Sequence, residues 1–198
     1  FIIGSGESFF VSNNIAYVID DYEGLLIIDV SNPQNPSLLG SYDTQDYEYS
    51  VFISNNIAYV ADGNSGLQII DVSNPQNPSL LGSYDTPGYT LSVTVLNNIA
   101  YVADYGSGLQ IIDVSNPQNP ALLGSYDIPD FALSVTVSNN IAYVSAWDEG
   151  LQIIDVSNPE NPVLLGSYNT PHHTLSVTVS NNIAYIADGW AGLQIIDV

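Results

Sequence analysis

The chain holds two histidines, and they are adjacent: His172-His173. Trp147-Asp148-Glu149 lies upstream of them and Asp188-Gly189-Trp190 downstream. Imidazoles beside carboxylates can ligate a transition metal or exchange protons as acid and base. His172, His173 and Asp188 are therefore the candidate metal ligands, although neighbouring histidines on an extended loop do not easily face one ion and no third exists. Glycoside hydrolysis needs two carboxylates at a defined separation; Asp148, Glu149 and Asp188 are the acids available for it. Exposed Trp and Tyr faces stack on sugar C–H surfaces or on cations, while nearby carboxylates accept sugar hydroxyls or pair with basic groups. Tyr22, Tyr47, Tyr89, Tyr105 and Phe131 recur in matching segments and extend this aromatic, acidic set.

What must position these residues is a repeat. Asn-Asn-Ile-Ala-Tyr starts at Asn13, Asn55, Asn97, Asn139 and Asn181, each 42 residues after the last. Leu-Leu-Gly-Ser-Tyr starts at Leu38, Leu80, Leu122 and Leu164 with the same spacing. A fixed period in the forties marks a repeat architecture. In the second copy, Ser50–Ser54, Ile57–Ala61, Leu67–Val72 and Leu80–Tyr84 are short β-rich runs separated by Asn-Asn, Asp-Gly-Asn-Ser-Gly and Ser-Asn-Pro-Gln-Asn-Pro. Four strands of about five residues with such turns predict an antiparallel meander. No segment carries a helical apolar period. Leu67–Val72 is apolar on both faces, which suits a sheet packed between neighbouring sheets, as in a propeller blade.

The expected fold is all-β: a single five-bladed β-propeller over residues 1–198, built of four-stranded antiparallel blades. The blades are expected at about 8–43, 50–85, 92–127, 134–169 and 176–198. The last copy stops at Val198 after its third strand, and Ile2-Ile3-Gly4-Ser5 mimics Leu38-Leu39-Gly40-Ser41. The N-terminal strand, about 1–5, is thus expected to complete the last blade, close the ring and remove a free edge. A window cut from a longer array is the alternative.

Ala58-Tyr59-Val60-Ala61-Asp62, Gly66-Leu67-Gln68-Ile69-Ile70-Asp71-Val72-Ser73-Asn74-Pro75 and Gly82-Ser83-Tyr84-Asp85 carry a family likeness. The unit resembles the LVIVD-repeat β-propellers, over essentially the whole chain. The resemblance implies the propeller fold and a secreted or cell-surface protein of bacterial or archaeal type. It brings no catalytic residues.

Composition excludes several function classes. There is no Lys, Arg, Cys or Met, and 21 acids give a net charge of −21. The acidic share is ordinary, so the charge comes from absent bases. Nothing neutralises phosphates, which argues against nucleic acid, anionic membranes and phosphoryl transfer. No apolar run approaches membrane-spanning length. With no initiating Met and no signal peptide, the chain reads as a processed segment. Any disulfide framework is absent, and a large core does not need one.

The copies also serve as an internal control. Asp29, Asp71, Asp113, Asp155 and Asp197 recur before turns, where carboxylates accept backbone N–H bonds, so they are read as structural. Tyr42, Tyr84, Tyr126 and Tyr168 are read as packing residues. Differences concentrate in the turn between strands two and three and in the connection to the next blade. In a meander these two emerge on one side, so one rim varies and the other stays uniform. Blade four stands out, with Ala146 replacing the recurrent Asp of Asp20, Asp62, Asp104 and Asp188. That Asp is a further candidate for Ca²⁺ or another divalent cation, without the density of a calcium loop.

The expected function is non-enzymatic binding or scaffolding outside the cell, with a glycan or a protein, basic proteins included, held on the variable rim. The chain is expected to be a monomer or part of a larger surface protein or assembly. A polysaccharide lyase or hydrolase using the His/carboxylate cluster is the alternative, disfavoured by the lack of Arg to neutralise a substrate acid. A structural subunit joined by strand exchange is a third reading.

Overall fold

The computed structural model describes residues 6–20, 23–44 and 46–198. They form five sheets in chain order, each a simple antiparallel meander. The first contains β1 (Gly6–Ser12), β2 (Ile15–Asp20), β3 (Gly24–Asp29) and β4 (Ser37–Tyr42). The second contains β5 (Ser50–Ser54), β6 (Ile57–Ala61), β7 (Leu67–Asp71) and β8 (Ser79–Tyr84). The third contains β9 (Ser92–Leu96), β10 (Ile99–Ala103), β11 (Leu109–Asp113) and β12 (Ala121–Tyr126). The fourth contains β13 (Ala132–Ser138), β14 (Ile141–Ala146), β15 (Leu151–Asp155) and β16 (Val163–Tyr168). The fifth contains β17 (Ser176–Ser180), β18 (Ile183–Ala187) and β19 (Leu193–Asp197). Beyond strands, the described residues hold one 3₁₀ turn, Gly189–Ala191. The result is a five-bladed propeller arrangement, as the repeat predicts.

Local chemistry explains the uniform side. Every Asn-Asn pair sits at positive φ, for example Asn55 at 51° and Asn56 at 61°. Two successive left-handed residues make the tight hairpin turn that matches strand twist, and Asn tolerates them. The recurrent carboxylates before the Ser-Asn-Pro loops cap those loops. Asp71 Oδ1 accepts the Ser73 N–H at 2.8 Å, and Asp29, Asp113 and Asp155 do the same with Ser31, Ser115 and Ser157. Backbone and hydroxyl hydrogen bonds from Ser73 hold the Asp71 carboxyl below its usual range. Asp29, Asp71, Asp113 and Asp155 are thus structural, as expected. The glycine of Leu-Leu-Gly-Ser-Tyr has a packing cause: a Cβ on Gly82 would lie 2.4 Å from the Pro117 carbonyl oxygen of the next blade.

The core lies between sheets. Tyr59, Ala61, Leu67 and Ile69 on one face of the second sheet pack against Val93, Val95, Ala100, Val102, Ile112 and Val114 of the third. The same arrangement joins first to second, third to fourth and fourth to fifth. Thus each inner sheet is apolar on both faces, which is why its strands lack clean alternation.

The strand expected over Ile2–Ser5 lies outside the described residues, so the expected ring closure does too. Among the described residues the fifth sheet has three strands. Phe9 of β1, and Leu193 and Ile195 of β19, face solvent.

Candidate functional site

The turn after each second strand and the connection leaving the same blade meet on one rim. They are tied by short backbone bridges: Gly63 with Thr90, Tyr105 with Ala132, and Trp147 with Thr174. In the last, the Thr174 N–H donates to the Trp147 carbonyl at 2.8 Å. The two variable segments read from sequence therefore form one surface.

Beneath each bridge lies a set of three side chains. At the second-to-third junction, Asp104 is fully buried. Its Oδ1 accepts the hydroxyls of Thr86 at 2.7 Å and Thr90 at 3.1 Å, and its Oδ2 accepts the Gly88 N–H at 2.8 Å. Burial nevertheless pushes its carboxyl upward, the hydrogen bonds opposing. At the fourth-to-fifth junction the same positions are Thr170, Thr174 and Asp188; the two hydroxyls lie 2.6 Å apart, and the His172 N–H donates to Asp188 Oδ1 at 3.2 Å. At the third-to-fourth junction they are Ile128, Ala132 and Ala146, all buried in one apolar cluster. The replacement of Asp by Ala146 is thus a repacking of the scaffold and not a mark of function. At the first-to-second junction they are Thr44, Glu48 and Asp62, with both acids buried. Burial, with the charges of Asp62 and Asp43, pushes the Glu48 carboxyl up to about 7.

Above these sets sit the aromatic tips. Tyr105 stacks on Phe131 with ring centres 4.0 Å apart. Trp147 stacks on His173 at 4.3 Å, His173 meets His172 edge-on at 4.2 Å, and His172 lies parallel to Trp190 at 6.2 Å. Trp190 is 95% exposed. The His173 Nδ1 pairs with Asp148 Oδ1. The Asp148 N–H donates to Asp130 Oδ2 at 2.8 Å, as the Asn64 N–H does to Asp46 Oδ2. Tyr49 and Tyr89 meet edge-on with their hydroxyls 3.2 Å apart.

Trp147, Asp148, His172, His173 and Trp190 are therefore brought together. Asp188 is fully buried below them and does not share their surface. Glu149 is exposed on the same turn, its N–H bound to the Ala146 carbonyl at 2.7 Å. Tyr47, Tyr89, Tyr105 and Phe131 line the rim at earlier junctions, and Tyr22 lies outside the described residues. Among the described residues no group of three or more His, Cys, Asp or Glu is placed to hold a metal ion. Sequence reasoning missed Asp130, although its counterpart Asp46 occupies the same repeat position. It also missed a polar cleft of about 350 Å³ between the first and second blades, lined by Asp43, Asn64, Gln68, Ser83 and Asp85 among others.

The turn tips carry a conformational signal. Equivalent positions are Gly63 (φ 47°), Tyr105 (φ 45°), Trp147 (φ 33°) and Gly189 (φ 46°). The left-handed region suits glycine; a bulky aromatic there is an outlier that the surroundings must hold.

The LVIVD repeat pattern matches residues 3–44, 48–86, 87–128, 131–170 and 172–198. The chain belongs to the LVIVD-repeat family. No curated protein sequence matches this LVIVD-repeat chain. Solved structures share its fold at low identity. The computationally designed Ika8 protein is 14% identical with a TM-score of 0.77, covering 98% of this chain and 58% of its own. A functionally unknown protein from Desulfotomaculum acetoxidans is 15% identical with a TM-score of 0.73, over 96% and 68%. A chain of a nidogen/laminin complex is 12% identical with a TM-score of 0.69, over 96% and 74%. The LVIVD-repeat chain therefore spans little more than half the length of Ika8.

Proposed function

We propose that this propeller is a non-enzymatic recognition module, acting outside the cell, that holds a glycan through the rim of its fourth and fifth blades. The observation that carries this reading is Trp147: an indole at φ 33°, where two other copies have glycine. A scaffold alone gives no reason to keep a large aromatic in that conformation. Its stack on His173, and the parallel His172 and Trp190 rings, offer flat faces for sugar C–H surfaces. Asp148 supplies a carboxylate that accepts sugar hydroxyls. With no Lys or Arg in the chain, a neutral or basic glycan suits the rim better than an acidic one. The placement of Asp188 beneath the surface leaves Asp148 without that acid as an opposed catalytic partner, which favours binding over hydrolysis. A basic protein segment would use the same aromatic and acidic groups.

A glycan array probed with the wild-type chain, Trp147→Ala and Trp190→Ala tests this. Binding by the wild type that is lost in both variants supports the rim. Binding that persists in both removes it.

A further inference from the structure

The stack of Trp147 on His173 has a counterpart one repeat earlier. Tyr105 and Phe131 stand 42 residues before Trp147 and His173, and they stack with ring centres 4.0 Å apart and planes 3° apart. Tyr105, like Trp147, carries a bulky side chain at positive φ, here 45°. The Tyr105 N–H donates to the Ala132 carbonyl at 3.2 Å, and the Ala132 N–H to the Tyr105 carbonyl at 2.9 Å, which holds that conformation. Glycine takes it without strain at Gly63 and Gly189, so the fold does not require Tyr105. Tyr105 and Phe131 are each 38% exposed, so the pair reaches solvent rather than filling a core. The second blade differs. There Tyr89 covers Gly63, its ring Cζ 3.0 Å from where a glycine Cβ would stand, and its hydroxyl meets that of Tyr49.

The two stacks are joined. Asp130 precedes Phe131, Asp148 follows Trp147, and the Asp148 N–H donates to Asp130 Oδ2 at 2.8 Å. Asp148 Oδ1 in turn meets His173 Nδ1. One strip therefore crosses the rim from the third blade to the fourth, with stacked rings at each end and two carboxylates between. Resting on the recognition reading above, we infer that this strip binds an extended neutral oligosaccharide, with Tyr105 and Phe131 as a second subsite beside Trp147 and His173. The rings take sugar C–H faces, and Asp130 and Asp148 accept hydroxyls. No Lys or Arg is present to pair with an acidic sugar. The stacks belong to neighbouring sheets, and packed sheets lie about 10 Å apart. A single pyranose ring covers one stack; only a chain reaches both. Filling the second subsite is then an intramolecular event, so affinity rises with chain length until both are occupied.

Calorimetric titration with the neutral glycan selected on the array, in graded lengths from monosaccharide to hexasaccharide, tests this. The proteins are the wild type, Tyr105→Gly, Phe131→Ala and Trp147→Ala. Glycine at position 105 relieves the left-handed conformation, so Tyr105→Gly folds, and matching thermal melts verify this; Phe131→Ala removes the same subsite from the other side. The wild type is expected to bind the longer sugars roughly tenfold tighter than the shortest it recognises, the worth of one aromatic stack. Tyr105→Gly and Phe131→Ala are each expected to lose that gain and to bind the shortest sugar as the wild type does. Trp147→Ala is expected to lose binding at every length. Wild-type affinity that does not change with length, or a gain that persists in both Tyr105→Gly and Phe131→Ala, overturns the second subsite and leaves the Trp147 platform standing. Loss at every length in either variant with an unchanged melt also overturns it, since a separate subsite leaves the shortest sugar bound. A wild type that binds no sugar on the array, or only lysine-rich peptides printed beside them, removes the recognition reading and this inference with it.

Discussion

Two junctions of the same propeller solve one packing problem in opposite ways. Between the second and third blades, Thr86, Thr90 and Asp104 form a buried hydrogen-bonded set. Between the third and fourth, Ile128, Ala132 and Ala146 fill the equivalent space with carbon. The backbone bridge above them is the same: Gly63 with Thr90 and Tyr105 with Ala132. Either solution works because it is complete: each buried polar group has partners, or there is none. These positions vary as a group and belong to the scaffold. The tips above vary without such compensation, and there the functional reading rests.

The largest effect is expected from mixing the two solutions. Ala146→Asp places a carboxylate against Ile128 and Ala132 without the two threonine hydroxyls that serve Asp104, and is expected to cost about 3–5 kcal/mol in chemical denaturation. Thr86→Val removes one donor from Asp104, and its expected cost is about 1–3 kcal/mol. Converting all three positions together, Thr86→Ile, Thr90→Ala and Asp104→Ala, should cost less than the single change, within about 1.5 kcal/mol of wild type. A triple variant less stable than Thr86→Val would show that the sets are not interchangeable.

The first-to-second junction is a third case, because it holds two acids. The Glu48 carboxyl is raised in the folded chain to about 7. A group raised above its unfolded value, about 4.3, favours folding most while protonated. Its contribution is complete below that value, falls as pH rises toward 7, and changes no further above. Glu48→Thr restores the Thr–Thr–Asp set, so the stability gained over wild type is expected to be larger at pH 8 than at pH 4. Parallel thermal melts at the two pH values read this; an equal gain at both would contradict the assignment. The smallest expected effect is a general one. Added salt should raise the melting temperature by screening a net charge of −21, and a flat response would count against self-repulsion.

Much of this was legible in the sequence. The 42-residue period gave the five blades, and the Asn-Asn and Asp-Gly punctuation gave their strands. Comparing copies located the variable rim and gathered Trp147, Asp148, His172, His173 and Trp190. Ala146 carries little meaning as a single position. Its partners sit 14 and 18 residues earlier, at Ala132 and Ile128, and both change in the same copy. That correlated change was visible but has meaning only once the connection folds back over the turn. Asp188 was grouped with the rim because sequence shows proximity and not depth. Glu48 was hidden for a similar reason: nothing local says that it replaces a buried Thr.

Trp147→Gly separates the proposed role of Trp147 in recognition from a role in the fold. Glycine occupies this position at Gly63 and Gly189 with nearly the same φ. Relief of the left-handed conformation is expected to offset the lost stack on His173, leaving stability within about 1 kcal/mol of wild type. Binding to the glycans selected by the wild-type chain should fall at least tenfold. A variant that unfolds readily but binds normally when folded would make Trp147 a structural residue and contradict the account.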